Sequence, residues 1–183
     1  MNRNQILNGS NFLSFIRLLL IIPLWFAFEN FDELFYRYSV AAIGIFAAIT
    51  DILDGFLARK LNQITEFGKI IDPIADKVLI IFVIVKLFQL DEIPCYYFYM
   101  IVARDILILI GGLIVSQKLG KVLPSDYIGK ATVLAISFVM LLILFKVSPQ
   151  SILFISLYYS SIALIFISFT NYFVKALKSI KTF

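Results

Sequence analysis

An all-α integral membrane fold of six transmembrane helices is what this sequence predicts, and three observations carry the prediction. Hydrophobic residues make up 61% of the 183 positions and charged residues only 15%, with a mean hydropathy of +0.96. That balance belongs to membrane proteins and not to soluble domains. Apolar stretches long enough to cross about 30 Å of hydrocarbon, at about 1.5 Å per residue, recur along the chain. Basic residues collect on alternate connections between those stretches. No Gly-, Ser- or Pro-rich linker and no internal repeat divides the chain, so one membrane domain over residues 1–183 is expected.

The opening MNRNQILNGSN is polar enough for a short interfacial segment, with Ile6 and Leu7 available to touch lipid. Span one runs from about Phe12 to Phe28. Arg17 interrupts its apolar run and no small-x-small site follows, so it does not read as a cleaved signal peptide; Pro23 predicts a kink. After the acidic turn Glu29 to Glu33, span two runs from about Tyr38 through Ile49 into Asp51. Span three starts near Ile71, which puts Pro73 in its first turn, and continues to Leu90. Asp91-Glu92-Ile93-Pro94 is a tight connection to span four, Tyr96 to Val115, in which Gly111-Gly112 predicts close helix packing. Span five covers Tyr127 to Phe145 and span six Ser151 to Phe173.

Arg3, Arg59, Lys60, Lys69, Lys118, Lys121, Lys175, Lys178 and Lys181 then fall on one side of the membrane. The other side carries Glu29, Asp32, Glu33, Arg37, Asp91, Glu92 and Lys146. By the positive-inside rule both termini face the cytoplasm, in the cell (inner) membrane. The single cysteine, Cys95, forms no internal disulfide, and the absence of histidine excludes a histidine base or metal ligand. Acid–base work falls to carboxylates, Lys or Tyr. No basic stretch interleaved with aromatics suggests nucleic acid.

Chemistry concentrates in DILDGFLARKLNQITEFGKIIDPIAD, Asp51 to Asp76. On a helix, Asp51 and Asp54 lie about 60° apart and about 4.5 Å apart along the axis, and Asp72 and Asp76 form a second pair. Four converging carboxylates repel unless cations neutralise them. Oxygen donors alone suit Mg2+ or Mn2+, ions commonly completed by substrate phosphates. Asp51 and Asp54 are expected near the C-terminal end of span two, where the helix dipole disfavours carboxylates in the absence of a cation. Gly55 and Gly68 let phosphates approach the backbone, Ala58 keeps the same face shallow, and Arg59 offers planar donors to a diphosphate or cytosine edge. The alternative is that the aspartates pair with Arg59, Lys60, Lys69 and Lys77 at the membrane surface.

The order Asp51, Asp54-Gly55, Ala58-Arg59, Gly68, Asp72, Asp76 resembles the signature of the CDP-alcohol phosphotransferase family at every position. The resemblance implies that Asp51, Asp54, Asp72 and Asp76 bind two divalent ions and that Asp76 is also the catalytic base. It further implies that Gly55, Arg59 and Gly68 hold the CDP moiety, with Thr65 a further candidate. Ser14 and Arg17 could reach the nucleotide from span one, although an Arg near a span end also snorkels. The implied enzyme transfers a phosphatidyl group from CDP-diacylglycerol to an alcohol and releases CMP. TDILDGFLARKLNQITEFGKIIDPIADK is most similar to the phosphatidylglycerophosphate synthase branch in bacteria, whose acceptor is sn-glycerol 3-phosphate. Inositol phosphate, serine, choline-like alcohols and phosphatidylglycerol are other acceptors in the family, and family members form homodimers.

Arg104-Asp105 lies well inside span four, where an ionisable pair is costly. Arg104 is either a ligand for an acceptor phosphate or half of a buried ion pair. Lys130, about one turn into span five, is a second acceptor-phosphate candidate. From a different class, a cation transporter could also pair aspartates, but it is expected to hold them near the midplane, with broken helices and a repeat. A scaffold without activity would not be expected to keep all four aspartates.

Overall fold

The computed structural model describes the backbone of residues 15–60, 68–119 and 127–181 and the side chains of 15–53, 77–111 and 127–175. Among these residues every regular element is a helix and no strand occurs. After a helical run over 15–19 come α1 (Ile21–Glu29), α2 (Leu34–Lys60), α3 (Gly68–Gln89), α4 (Cys95–Leu119), α5 (Tyr127–Leu144) and α6 (Ile152–Lys181). Among the described residues three helical stretches are long and apolar enough to cross a membrane, Leu34–Leu53, Tyr127–Leu144 and Ile152–Lys175. The chain divides into two compact units, Met1–Gln89 and Leu90–Phe183.

In the first unit α1 packs on both α2 and α3. Leu24, Ala27 and Phe28 of α1 are buried, as are Val40, Ala41 and Ala47 of α2 and Leu79, Ile84 and Leu87 of α3. Phe28 stacks on Phe31 at 5.0 Å between ring centres and meets the edge of Phe82 at 6.1 Å. The opposite face of α2 leaves Ile45, Phe46, Ile49 and Ile52 exposed, a surface suited to lipid tails. Pro23 lies three residues after the boundary between the first helical run and α1. It has no N–H for the Leu19 carbonyl, and the helix breaks next to that residue, at Leu20, while Leu24 N still bonds Leu20 O at 3.1 Å.

In the second unit α6 packs on both α4 and α5. Its buried stripe, Tyr158, Ser161, Ile165 and Ser168, repeats at helical spacing, and its two small serines admit close neighbours. The Ser161 hydroxyl donates to the Tyr158 carbonyl at 2.7 Å, so the Tyr97 hydroxyl at 2.7 Å is the donor to Ser161. Thr132 of α5 shares its hydroxyl between Ile128 O at 2.7 Å and Leu164 O at 3.2 Å. α5 ends on Lys146 at φ 52°, with Val147 N bonded to Leu142 O and Lys146 N to Ile143 O. This is a Schellman cap with lysine where glycine is usual. Ser151 caps the start of α6 through Phe154 N at 3.2 Å.

Two boundaries differ from the sequence expectation. α2 continues to Lys60, so Asp51 and Asp54 stand inside the helix and not near its C-terminal end. The polar residues after Asp51 lower the hydropathy without stopping the helix, since Leu57, Ala58, Arg59 and Lys60 are good helix formers. α3 begins at Gly68, so Pro73 falls in its second turn and not its first. At Gly111 a Cβ would meet nothing within 4 Å among the described residues, and Gly112 lies outside those whose side chains are described.

Candidate active site

Helix α2 holds Asp51, Asp54, Gly55, Ala58 and Arg59 in one uninterrupted run. The first four stand at i, i+3, i+4 and i+7, the positions of one helix face. Gly68, Asp72 and Asp76 recur every four residues from the first residue of α3, again one face. α1 packs on both α2 and α3, the helices that carry the two halves of the motif. Ser14 and Thr65 lie outside the described residues, and of the four aspartates Asp51 is the one whose side chain is described.

Asp51 is paired from the first helical run. Arg17 Nη1 donates to Asp51 Oδ1 at 2.8 Å, with the arginine side chain 2% exposed and the aspartate 51% exposed. A guanidinium withdrawn from water requires a compensating anion, which Asp51 supplies. The alternative pairing considered for the aspartates, with Arg59, Lys60, Lys69 or Lys77, did not include Arg17. Nothing in a separation of 34 residues announces the contact. One bonded oxygen leaves Asp51 with further acceptor capacity on its solvent side.

The donor set fits hard divalent ions. It offers carboxylate oxygens at one-turn spacing on two helices, in a chain with no histidine. Among the described residues no group of three or more candidate ligands assembles.

Arg104, on α4, is 7% exposed. Its Nη1 donates to Asp105 Oδ1 at 2.6 Å, and its Nη2 to Gly129 O on α5 and Ser168 Oγ on α6, both at 3.2 Å. Its buried Nε has no hydrogen-bond partner among the described residues. The ion pair is thus present, and Arg104 also reaches the backbone of the residue before Lys130, whose own side chain is exposed. Gly129, Ser168 and Tyr172, which surround this guanidinium, were not among the expected residues. Their one signal is spacing, since Ser168 follows Ser161 by two turns on α6.

Comparison with known proteins bears on both units. A family model described as CDP-alcohol phosphatidyltransferase matches residues 7–170. The CDP-diacylglycerol--glycerol-3-phosphate 3-phosphatidyltransferase of Aquifex aeolicus is 36% identical over 181 residues, 95% of this chain and 98% of that protein. The Bacillus subtilis protein of the same name is 36% identical over 105 residues, 55% of this chain and 54% of its own. Human cardiolipin synthase (CMP-forming) is 45% identical over 71 residues, 37% of this chain and 24% of its own. With the signature complete from Asp51 to Asp76 and the family model spanning most of the sequence, this chain belongs to the CDP-alcohol phosphatidyltransferase family.

Proposed function

We propose that this protein makes phosphatidylglycerophosphate, transferring the phosphatidyl group of CDP-diacylglycerol to sn-glycerol 3-phosphate with release of CMP. The observation that carries the acceptor is the 36% identity running through 98% of the Aquifex enzyme, well beyond the donor motif. The whole chain acts as one domain, a reading supported by a family match that runs through both compact units. It crosses the cell membrane six times, with both termini and the aspartates on the cytoplasmic side where the basic connections lie. There the acyl chains stay in lipid while the acceptor arrives from water. The active form is a homodimer.

Asp51, Asp54, Asp72 and Asp76 hold two Mg2+ or Mn2+ ions. When bound, these ions supply charge neutralisation across the diphosphate and the departing CMP. Gly55, Ala58, Arg59, Thr65 and Gly68 seat the CDP moiety, with Ser14 on the same side. Asp76 accepts the proton of the acceptor hydroxyl as its oxygen attacks the lipid-side phosphorus; the P–O bond to CMP breaks, and CMP leaves with that bonding pair. Arg104 and Lys130 hold the acceptor's phosphate, and the firm seating of Arg104 by Ser168 and Gly129 supports a positioned charge.

The test is CMP release by the purified protein from CDP-diacylglycerol with Mg2+, offering glycerol 3-phosphate, inositol phosphate, serine and phosphatidylglycerol in parallel. Release with glycerol 3-phosphate alone is expected. Release with phosphatidylglycerol instead would keep the donor chemistry and move the protein toward the cardiolipin synthase relatives.

A further inference from the structure

The contact between Arg17 and Asp51 has a consequence for metal binding. Arg17 is 1% exposed as a residue, so nearly all of its surface is spent on protein. Its Nη1 lies 2.8 Å from Asp51 Oδ1, while half of the Asp51 side chain remains accessible. A guanidinium so enclosed is poorly disposed to reach a nucleotide. It is well disposed to fix the carboxylate it holds, because one bonded oxygen sets the plane of the group and aims the other.

We propose that Arg17 is a positioning residue for the metal centre, acting through Asp51 and not by touching CDP. The inference rests on the reading of Asp51 as a metal ligand. It assigns Arg17 two linked tasks. Before metal enters, its charge offsets one of four neighbouring carboxylates that would otherwise repel. Once metal is present, it orients Asp51 so that the carboxylate offers a single preset oxygen. The planar fork of arginine suits the second task and the point charge of lysine does not, so charge and geometry are separable by substitution.

The experiment compares wild type, Arg17→Lys and Arg17→Met in detergent, with Mn2+ binding read by electron paramagnetic resonance in the absence of any lipid substrate. Removing a group that orients a metal ligand weakens metal binding about 10- to 100-fold. The proposal therefore expects both variants to bind Mn2+ more weakly, Arg17→Met more so than Arg17→Lys. The Mg2+ concentration for half-maximal CMP release should rise in parallel, while KM for CDP-diacylglycerol at saturating Mg2+ stays within about twofold of wild type. Asp51 is half exposed, so it returns to water when Arg17 is replaced, and thermal melting checks that the variants fold. Should Arg17→Met melt out, Arg17→Lys alone carries the test: it keeps the charge and loses the planar fork, and it must weaken Mn2+ binding.

Unchanged Mn2+ binding in both arginine variants overturns the proposal. So does a raised KM for CDP-diacylglycerol with an unmoved metal midpoint, the signature of nucleotide contact. Wild type that binds no Mn2+ overturns the aspartate metal centre itself, and with it the proposal, which separates that failure from the first two.

Discussion

Ser168 Oγ lies 3.2 Å from Arg104 Nη2, joining the buried stripe of α6 to the one arginine set within α4. The same nitrogen reaches the Gly129 carbonyl of α5, so one guanidinium spans three helices. A charge held that firmly keeps its place before any ligand arrives, as an acceptor-phosphate site requires. On the acceptor-phosphate role proposed for Arg104, replacing it with Met removes a charge-assisted hydrogen bond of about 1.5–3 kcal/mol to that phosphate, about 10- to 150-fold in affinity. The expected result is a KM for glycerol 3-phosphate raised by that factor, with KM for CDP-diacylglycerol little changed. Ser168→Ala should move the same parameter by a smaller factor. Equal loss for both substrates would assign Arg104 to helix packing alone.

Gly129 sits where a methyl group is tight but not impossible. A Cβ there would come 3.3 Å from the Tyr172 hydroxyl and 3.4 Å from Arg104 Nη2. The Tyr172 hydroxyl is the end of a side chain that can yield by a few tenths of an ångström, and 3.4 Å from Arg104 is ordinary van der Waals contact. Overpacking of about 1 kcal/mol is offset by a helix-propensity gain of about the same size for Ala over Gly. Gly129→Ala should therefore melt within about 3 °C of wild type, whereas Gly129→Leu should melt lower by more than about 5 °C, since the larger side chain cannot be absorbed. Thermal unfolding in detergent distinguishes them, and equal melting of the two would refute the crowding.

Lys146 occupies the left-handed region at φ 52° in the cap of α5. A side chain there costs about 1–2 kcal/mol, partly offset because glycine loses about 0.5–1 kcal/mol more in chain entropy on folding. Lys146→Gly should stabilise by up to about 1 kcal/mol, seen as a small rise in melting temperature. A fall would mean that the lysine makes a contact worth more than the strain.

Tyr97 donates to Ser161 in a fully enclosed pair, with both residues at 0% exposure. Tyr97→Phe should cost about 1 kcal/mol and Ser161→Ala more, since it also loses the bond to Tyr158 O, and the double variant should cost less than their sum because the Tyr97–Ser161 bond is lost in both. A double-mutant cycle by thermal unfolding measures the coupling, and strict additivity would contradict the bond.

The helices were legible where composition changes abruptly. α5 runs from Tyr127 to Leu144 against an expected Phe145, because polar residues on both sides end the helix and the apolar run together. The spans expected in α2 and α6 match the apolar stretches Leu34–Leu53 and Ile152–Lys175 to within a few residues, and both helices run on past them, since Arg59 and Lys60, or Lys175, Lys178 and Lys181, do not end a helix. The motif was legible because its residues are local and keep helix spacing. Arg104 stood out because an ionisable group inside a span is costly. Its partners Gly129 and Ser168, and the hold of Arg17 on Asp51, were not legible, because they depend on how separate helices meet and no spacing in the chain encodes that.

The Mg2+-dependent phosphatidyl transfer proposed for the aspartates of α2 and α3 is tested by CMP release from CDP-diacylglycerol and glycerol 3-phosphate by Asp76→Asn beside wild type. Asparagine keeps the size of aspartate but is no base and a poorer ligand for a hard cation. The account predicts a loss of at least about 100-fold, the lower end of what general-base catalysis supplies, in a variant that melts like wild type. Activity within about tenfold of wild type would contradict it.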